Sequence, residues 1–317
     1  MAKAEYIGVD GVARKVKSHY LGVDSVARKV KSGHVGVSGV ARQFFAGVSS
    51  VLNECTWEQI REVSDAGQGE NYWSVGDTKT IIIDGDVGVS TFTNLSVDAF
   101  ILGFNHNSSL EGSNRIHFKI GKINGVQIAL VDGYYGTIPD MPSGGMAKPF
   151  RMNEDSTNTS GWAGSDMRRY LLGNNGTPLN PPGYSLMKAL PEDLRAVMKS
   201  VIKYSDNTGS WVSNSSDTVT STTDYLFLLS EFEFHGVRTY ANKVEQNYQA
   251  QYDYYKAGNS KIHYRHNATD SKADSWCRSV AFLPSTANTS FCRVDNYGNA
   301  GENQADVSYG VAPCFVA

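Results

Sequence analysis

The stretch from Ser275 to Ala317 constrains the fold more tightly than any other part of the sequence. Three apolar runs in it, Trp276 to Phe282, Phe291 to Val294 and Tyr309 to Val316, read as buried strands. Between the second and third lies DNYGNAGENQADVS, Asp295 to Ser308, almost devoid of large aliphatic side chains. Two readings of this polar text are open. It is either a solvated loop, as Asn/Gly-rich connections ordinarily are, or a binding surface. Recognition surfaces favour Tyr, Ser, Gly and Asn, which combine rigid contact area with adaptable hydrogen bonding. Tyr297 and Tyr309 bracket the segment and Arg293 enters it, so both kinds of group are present.

The pattern W-C-R-S (Trp276 to Ser279), F-C-x-V (Phe291 to Val294), G-N-A (Gly298 to Ala300) and Y-G-V-A-P-C-F-V (Tyr309 to Val316) resembles the C-terminus of the variable proteins of diversity-generating retroelements. It is also similar to a related phage and gut-bacterial domain of unassigned function. The resemblance implies a C-type-lectin-like fold, shared with formylglycine-generating enzymes, in which a fixed strand framework carries diversified positions. The implied ligand-binding set is Arg293, Asp295, Asn296, Tyr297, Asn299, Glu302, Asn303, Gln304, Asp306 and Ser308, with Phe282 and Ser285 to Ser290 as a second lobe. Cys277, Val280, Ala312 and Cys314 depart from one or other version of the pattern. The partner implied is a bacterial surface glycan or protein.

The first forty-odd residues are a repeat. YIGVDGVARKVKS from Tyr6, YLGVDSVARKVKS from Tyr20 and HVGVSGVARQFFA from His34 recur every fourteen residues. Each alternates apolar and polar side chains around Asp10-Gly11, Asp24-Ser25 or Ser38-Gly39, which predicts β-hairpins. A single unit cannot bury a face alone, so stability must come from stacking or from a partner. Residues 1–47 carry eight Lys or Arg against three Asp or Glu. Similar repeats occur at the N-termini of phage tail and fibre-type proteins, which implies attachment to other virion proteins, and fibre-like relatives point to a homotrimer.

Residues 48–317 are expected to form one ligand-binding domain, with a variable region at about 275–317. The spacing of Thr56 and Gln59 predicts a capped helix to about Ser64. A hairpin is expected around Asn124-Gly125, and helices over GWAGSDMRRYLLG from Gly161 (capped near Ser165), over Pro191 to Tyr204, and over Tyr248 to Lys261. YLFLLSEFEF, Tyr225 to Phe234, reads as a strand, and Asp206 to Thr223 as an exposed excursion around Trp211. The fold class expected is α+β, a C-type-lectin-like domain preceded by hairpin repeats.

A net charge of −3 offers no case for nucleic acid. No apolar run approaches the ~20 residues that span a bilayer, so no membrane insertion is expected. The N-terminus lacks the apolar core of a secretory signal, which fits synthesis in a host cytoplasm and a place in a phage tail or fibre. Cys55, Cys277, Cys292 and Cys314 match no zinc spacing and are expected to be free, buried thiols. His263 and His266 have i, i+3 spacing but no neighbouring ligand cluster. Asp270, Asp274, Asp295, Glu302 and Asp306 would suit calcium, as in many lectins, yet form no recognisable coordination loop, so no cofactor is expected. No catalytic set has recognisable local context, and an enzyme is not expected. Two alternatives stand beside receptor binding: a non-binding decoration protein of a virion, and an oxidase like the formylglycine generators, using Cys292 and Cys314.

Overall fold

The computed structural model describes residues 6–9, 12–15, 19–23, 26–30, 32–37, 40–141, 144–209, 216–282 and 288–317. The chain divides into two compact units, Met1–Cys55 and Thr56–Ala317. In the first, the alternating repeats pair with themselves. Strands β1 (Tyr6–Val9) and β2 (Val12–Lys15), β3 (Tyr20–Val23) and β4 (Val26–Lys29), and β5 (Ser32–Val37) and β6 (Val40–Ala46) form three antiparallel two-stranded sheets. Val9 faces Val12, Val23 faces Val26 and Val37 faces Val40, so the two strands of each repeat pair with each other. The dipeptides themselves, Asp10-Gly11, Asp24-Ser25 and Ser38-Gly39, lie outside the described residues.

The second unit is α+β, mostly sheet with short helices. It opens with α1 (Trp57–Asp65), which carries the expected capping box: Thr56 Oγ1 accepts from Gln59 N at 3.2 Å and Gln59 Oε1 from Thr56 N at 2.9 Å. There follow β7 (Thr78–Val87), β8 (Ser90–Phe104), α2 (Ser108–Glu111), β9 (Ile116–Ile123) and β10 (Val126–Ala129). Next are α3 (Gly161–Gly164), α4 (Leu186–Ala189), α5 (Glu192–Val197), β11 (Val201–Asp206), β12 (Val219–Asp224) and β13 (Leu226–Phe227). The chain ends with α6 (Glu231–His235), α7 (Asp253–Lys256), β14 (His263–Arg265), β15 (Ala268–Ala273), β16 (Ser275–Val280), β17 (Ser290–Val294), β18 (Ala300–Gln304) and β19 (Cys314–Val316).

Strand β19 lies between β13 and β9 in an eight-stranded sheet that also holds β7, β8, β10, β14 and β15. The end of the chain thus closes the main sheet. Phe315 stacks on Phe118 at 5.1 Å, and Trp57 of α1 meets both rings edge-on. A separate three-stranded sheet, β16-β17-β18, carries most of the tail, and β11-β12 form a ribbon. Asn124 (φ 51°) and Gly125 (φ 80°) make the β9–β10 turn, as their sequence predicts.

Five expectations need correction. The helix expected over Pro191 to Tyr204 is only the six residues of α5; at Met198 the backbone turns extended and continues as β11. Leu194 and Val197 are buried as a helical stripe, but Val201, Lys203 and Ser205 are buried at every second position against β12. The same pairing makes the supposed excursion partly a strand; Trp211 lies outside the described residues. From Gly161 the chain makes α3 and then a π-turn, Met167–Leu171, whose start is held by Ser165 Oγ accepting from Arg168 N. Tyr225 to Phe234 is strand only at Leu226–Phe227, because Ser230 and Glu233 form a capping box that starts α6. Of the helix over Tyr248 to Lys261 only α7 forms, ahead of Gly258 at φ 86°. Tyr252 and Tyr255 pack inward, and Tyr248 stacks on Tyr204.

Candidate functional site

The polar segment of the tail is not a free loop. Strands β17 and β18 pair with Arg293 opposite Gly301 and Phe291 opposite Asn303, and the turn between them is built by Asp295. Its Oδ1 accepts from Tyr297 N and Asn299 N, each at 2.8 Å, and its amide donates to Asn299 O. Gly298 is required here: its φ is 84°, and a Cβ would lie 3.2 Å from Ile262 Cγ1. The turn holds the Tyr297 ring outward, 70 % exposed, with Lys272 Nζ 5.3 Å from its centroid. Asn299 and Gln304 are exposed as well, and Asn296 is half-buried.

Beneath the turn lies a half-buried tier of Arg and Tyr. Arg293 pairs with the Asp274 carboxylate, donates from Nε to Glu302 O at 3.2 Å, and stands 5.4 Å over the Tyr309 ring. Asn303 Nδ2 donates to Tyr309 Oη at 2.6 Å. Tyr309 packs edge-on against Trp276 and Tyr135, and the Arg265 guanidinium lies 4.1 Å over the Tyr135 ring. Tyr135 Oη accepts from Asp274 N, and burial pushes its phenol up to about 12. Asp274 also accepts from Asn296 N, so a single carboxylate ties turn, strand and tier together.

The expected residues therefore fall into groups. Asp295, Asn296, Tyr297 and Asn299 share the turn; Arg293, Glu302 and Asn303 share the middle of the hairpin. Gln304 faces Ser290 at the far end, where Ala281 also bonds to Ser290, and half-buried Phe282 follows Ala281. Ser308 is a correction: it is 0 % exposed, and its hydroxyl donates to Asp132 Oδ1 at 2.6 Å, so it fastens the frame. Ser290, expected in the second lobe, is likewise fully buried, and residues 283–287 of that lobe lie outside the described residues. Half-buried Asp306 keeps Oδ1 away from solvent, without a partner.

Sequence reasoning missed Tyr135, Arg265 and Lys272, which arrive from other segments. It also missed what lies behind β16. Arg278 of the W-C-R-S pattern points into the interior, where both its Nη atoms meet the Glu233 carboxylate and Nε donates to Ser205 Oγ. Lys203 Nζ completes this centre, donating to Glu111 Oε2 (2.8 Å), Glu233 Oε1 (3.1 Å) and Tyr252 Oη (2.9 Å). Burial alone would raise the Glu233 carboxyl, but Arg278 and Lys203 outweigh it and hold the group well below the usual carboxylate range. Ser279, the next residue of the pattern, donates to Glu245 Oε2 at 2.6 Å; burial lifts that carboxyl to about 7. The Ser230–Glu233 spacing was the sequence signal for this centre.

Among the described residues, His106, Glu111 and Glu233 are the one group with three ligand atoms close enough to share an ion, and Lys203 already bridges its two carboxylates. The acidic residues considered for calcium do not converge in this way. All four cysteines are free and buried, as expected. Cys292 sits on β17 of the three-stranded sheet and Cys314 on β19 of the larger one, and burial raises both thiols. His263 is not on a helix but in β14, fully buried between Lys119 Nζ and Ser275 Oγ. Among the described residues no helix is long and apolar enough to cross a membrane.

A family model, "Domain of unknown function (DUF6273)", matches residues 146–316, more than half of the chain. No curated protein and no solved structure matches it. The matched stretch takes in the turn, the Arg/Tyr tier apart from Tyr135, and the Arg278–Glu233 pair. The chain belongs to the DUF6273 family, a domain whose function is unknown.

Proposed function

We propose that this chain is a receptor-binding component of a phage tail or fibre, and that its second unit is a C-type-lectin-like domain. The basic hairpins of residues 1–47 attach it to other virion proteins, and copies assemble as a trimer. The outer face of the β17–β18 hairpin engages a glycan or protein on a bacterial surface, and its positions are those diversified by a retroelement.

One observation carries the reading: the Asp295 turn presents Tyr297 and Asn299 to solvent while Arg293 and Tyr309 anchor the strands that bear it. Tyr offers a rigid apolar face with a polar tip, and Asn and Gln adapt their hydrogen bonds to what they meet. Weak affinity at each copy is raised when several copies engage one cell. The test is whole-cell and glycan-array binding by the full chain and by a variant carrying Tyr297→Ala, Asn299→Ala and Gln304→Ala. Binding by the parent that the variant loses supports the proposal. Equal binding by both overturns the assignment of the surface, and no binding by either favours the decoration role.

A further inference from the structure

A second site is independent of the hairpin surface. A cleft of about 450 Å³ lies where the end of α1 meets the turn into β9 and the crossing from α5 to β11. Its lining includes Arg61, Asp65, Ser113, Arg115, Lys199 and Tyr225. Three cations here face one lining carboxylate, in a chain whose net charge is −3. That carboxylate is already shared: Asp65 accepts from Arg61 Nε at 2.9 Å and from Lys199 Nζ at 2.8 Å. Arg115 makes no salt bridge among the described residues. Its Nη1 donates to Ser200 O at 2.7 Å, and its Nε is shielded from solvent without a partner.

Arg115 is also fixed in place. Its amide donates to Asn105 Oδ1 and its carbonyl accepts from Asn105 N at 2.8 Å, which pins the end of the β8–β9 pair. With the backbone pinned and Nη1 bonded to Ser200 O, the side chain has less freedom left to lose on binding. Burial disfavours the charged forms of both Arg115 and Lys199, so an arriving anion offsets that cost. A volume within the range of small-molecule sites leaves room for more than a bare ion.

We propose that this cleft binds the oxyanion group of a small ligand, a phosphate or a carboxylate, with Arg115 as the principal fork and Lys199 and Arg61 as flanking charges. Planar Arg donors match the two oxygens of such groups, and charge-assisted bonds of this kind are the strong ones.

Calorimetric titration of the full chain with inorganic phosphate and, separately, with glucuronate tests this, with ionic strength held constant by sodium chloride. Saturable uptake of either anion at one per chain is expected, and which anion binds names the source. Arg115→Gln is expected to weaken it by at least about tenfold, the loss of one charge-assisted contact. Arg115→Lys, which keeps the charge and loses the fork, is expected to fall between. If Arg115→Gln does not melt cooperatively, Arg61→Gln, which removes a flanking charge, reads a loss of uptake in its place. Absence of uptake of both anions up to about 10 mM, or unchanged uptake in a folded Arg115→Gln protein, overturns the proposal.

Discussion

Two parts of the three-stranded sheet use the same residue types to opposite ends. Behind β16, Arg278, Lys203, Glu233 and Tyr252 are fully buried, and Arg278 is bonded on every guanidinium nitrogen. Around β17 and β18, Arg293, Asp274, Tyr309 and Tyr297 form a ladder that runs from half-buried to solvent. In the first region a charge has no alternative partner, since water is excluded, so geometry is fixed by the cost of leaving any group unpaired. In the second, water can replace a lost partner, and substitution is cheap. The comparison explains how one small sheet can hold a rigid frame and a changeable edge a few residues apart.

The largest effect is expected in the interior. Glu233→Ala leaves buried Arg278 without a counter-charge and Lys203 with Glu111 alone, and is expected to cost about 3–5 kcal/mol, read by denaturant unfolding; a loss below about 1 kcal/mol would mean that water reaches the centre. Next is a pH effect at Glu245. Its folded carboxyl keeps its proton to about 7, against 4.5 for the unfolded chain, so its contribution is full at low pH and is lost as pH rises between those values. Glu245→Gln mimics the protonated form. The stability difference between variant and parent is therefore expected to grow in the variant's favour from pH 4.5 to about 7, on the order of 1–3 kcal/mol. A difference that stays flat across that window contradicts the assignment.

Smaller effects sharpen the account of the edge. Gly298→Ala places a side chain at φ 84° and is expected to cost about 1–2 kcal/mol in melting experiments. If the variant melts with the parent, the turn is not held as described. Asn303→Ala removes the bond to Tyr309 Oη and the one that Asn303 Oδ1 accepts from Gln304 N, and is expected to cost about 0.5–1.5 kcal/mol.

What was legible in the sequence was what local chemistry decides. The capping box at Thr56 and Gln59, the Asn124-Gly125 turn and the alternating repeats each settle their conformation within a few residues. The helix expected over Pro191 to Tyr204 failed because Lys203 is drawn to Glu111 and Glu233, ninety-two and thirty positions away, and a strand is what carries it there. Arg278 was hidden for the same reason: nothing within W-C-R-S names the distant carboxylate that it pairs with. The candidate surface was half visible. The Asp295 turn follows from its own Asn and Gly residues, whereas Tyr135, Arg265 and Lys272 are supplied by segments with no sequence link to it.

An edge at β17–β18 that tolerates change over a frame that does not should leave stability insensitive to substitution at its exposed positions. The direct measurement is the melting temperature of a panel of variants randomised at Tyr297, Asn299 and Gln304. Surface positions of this kind shift stability by about 0.5 kcal/mol, so most variants should melt within about 2 °C of the parent. A panel in which most members lose cooperative melting would contradict it.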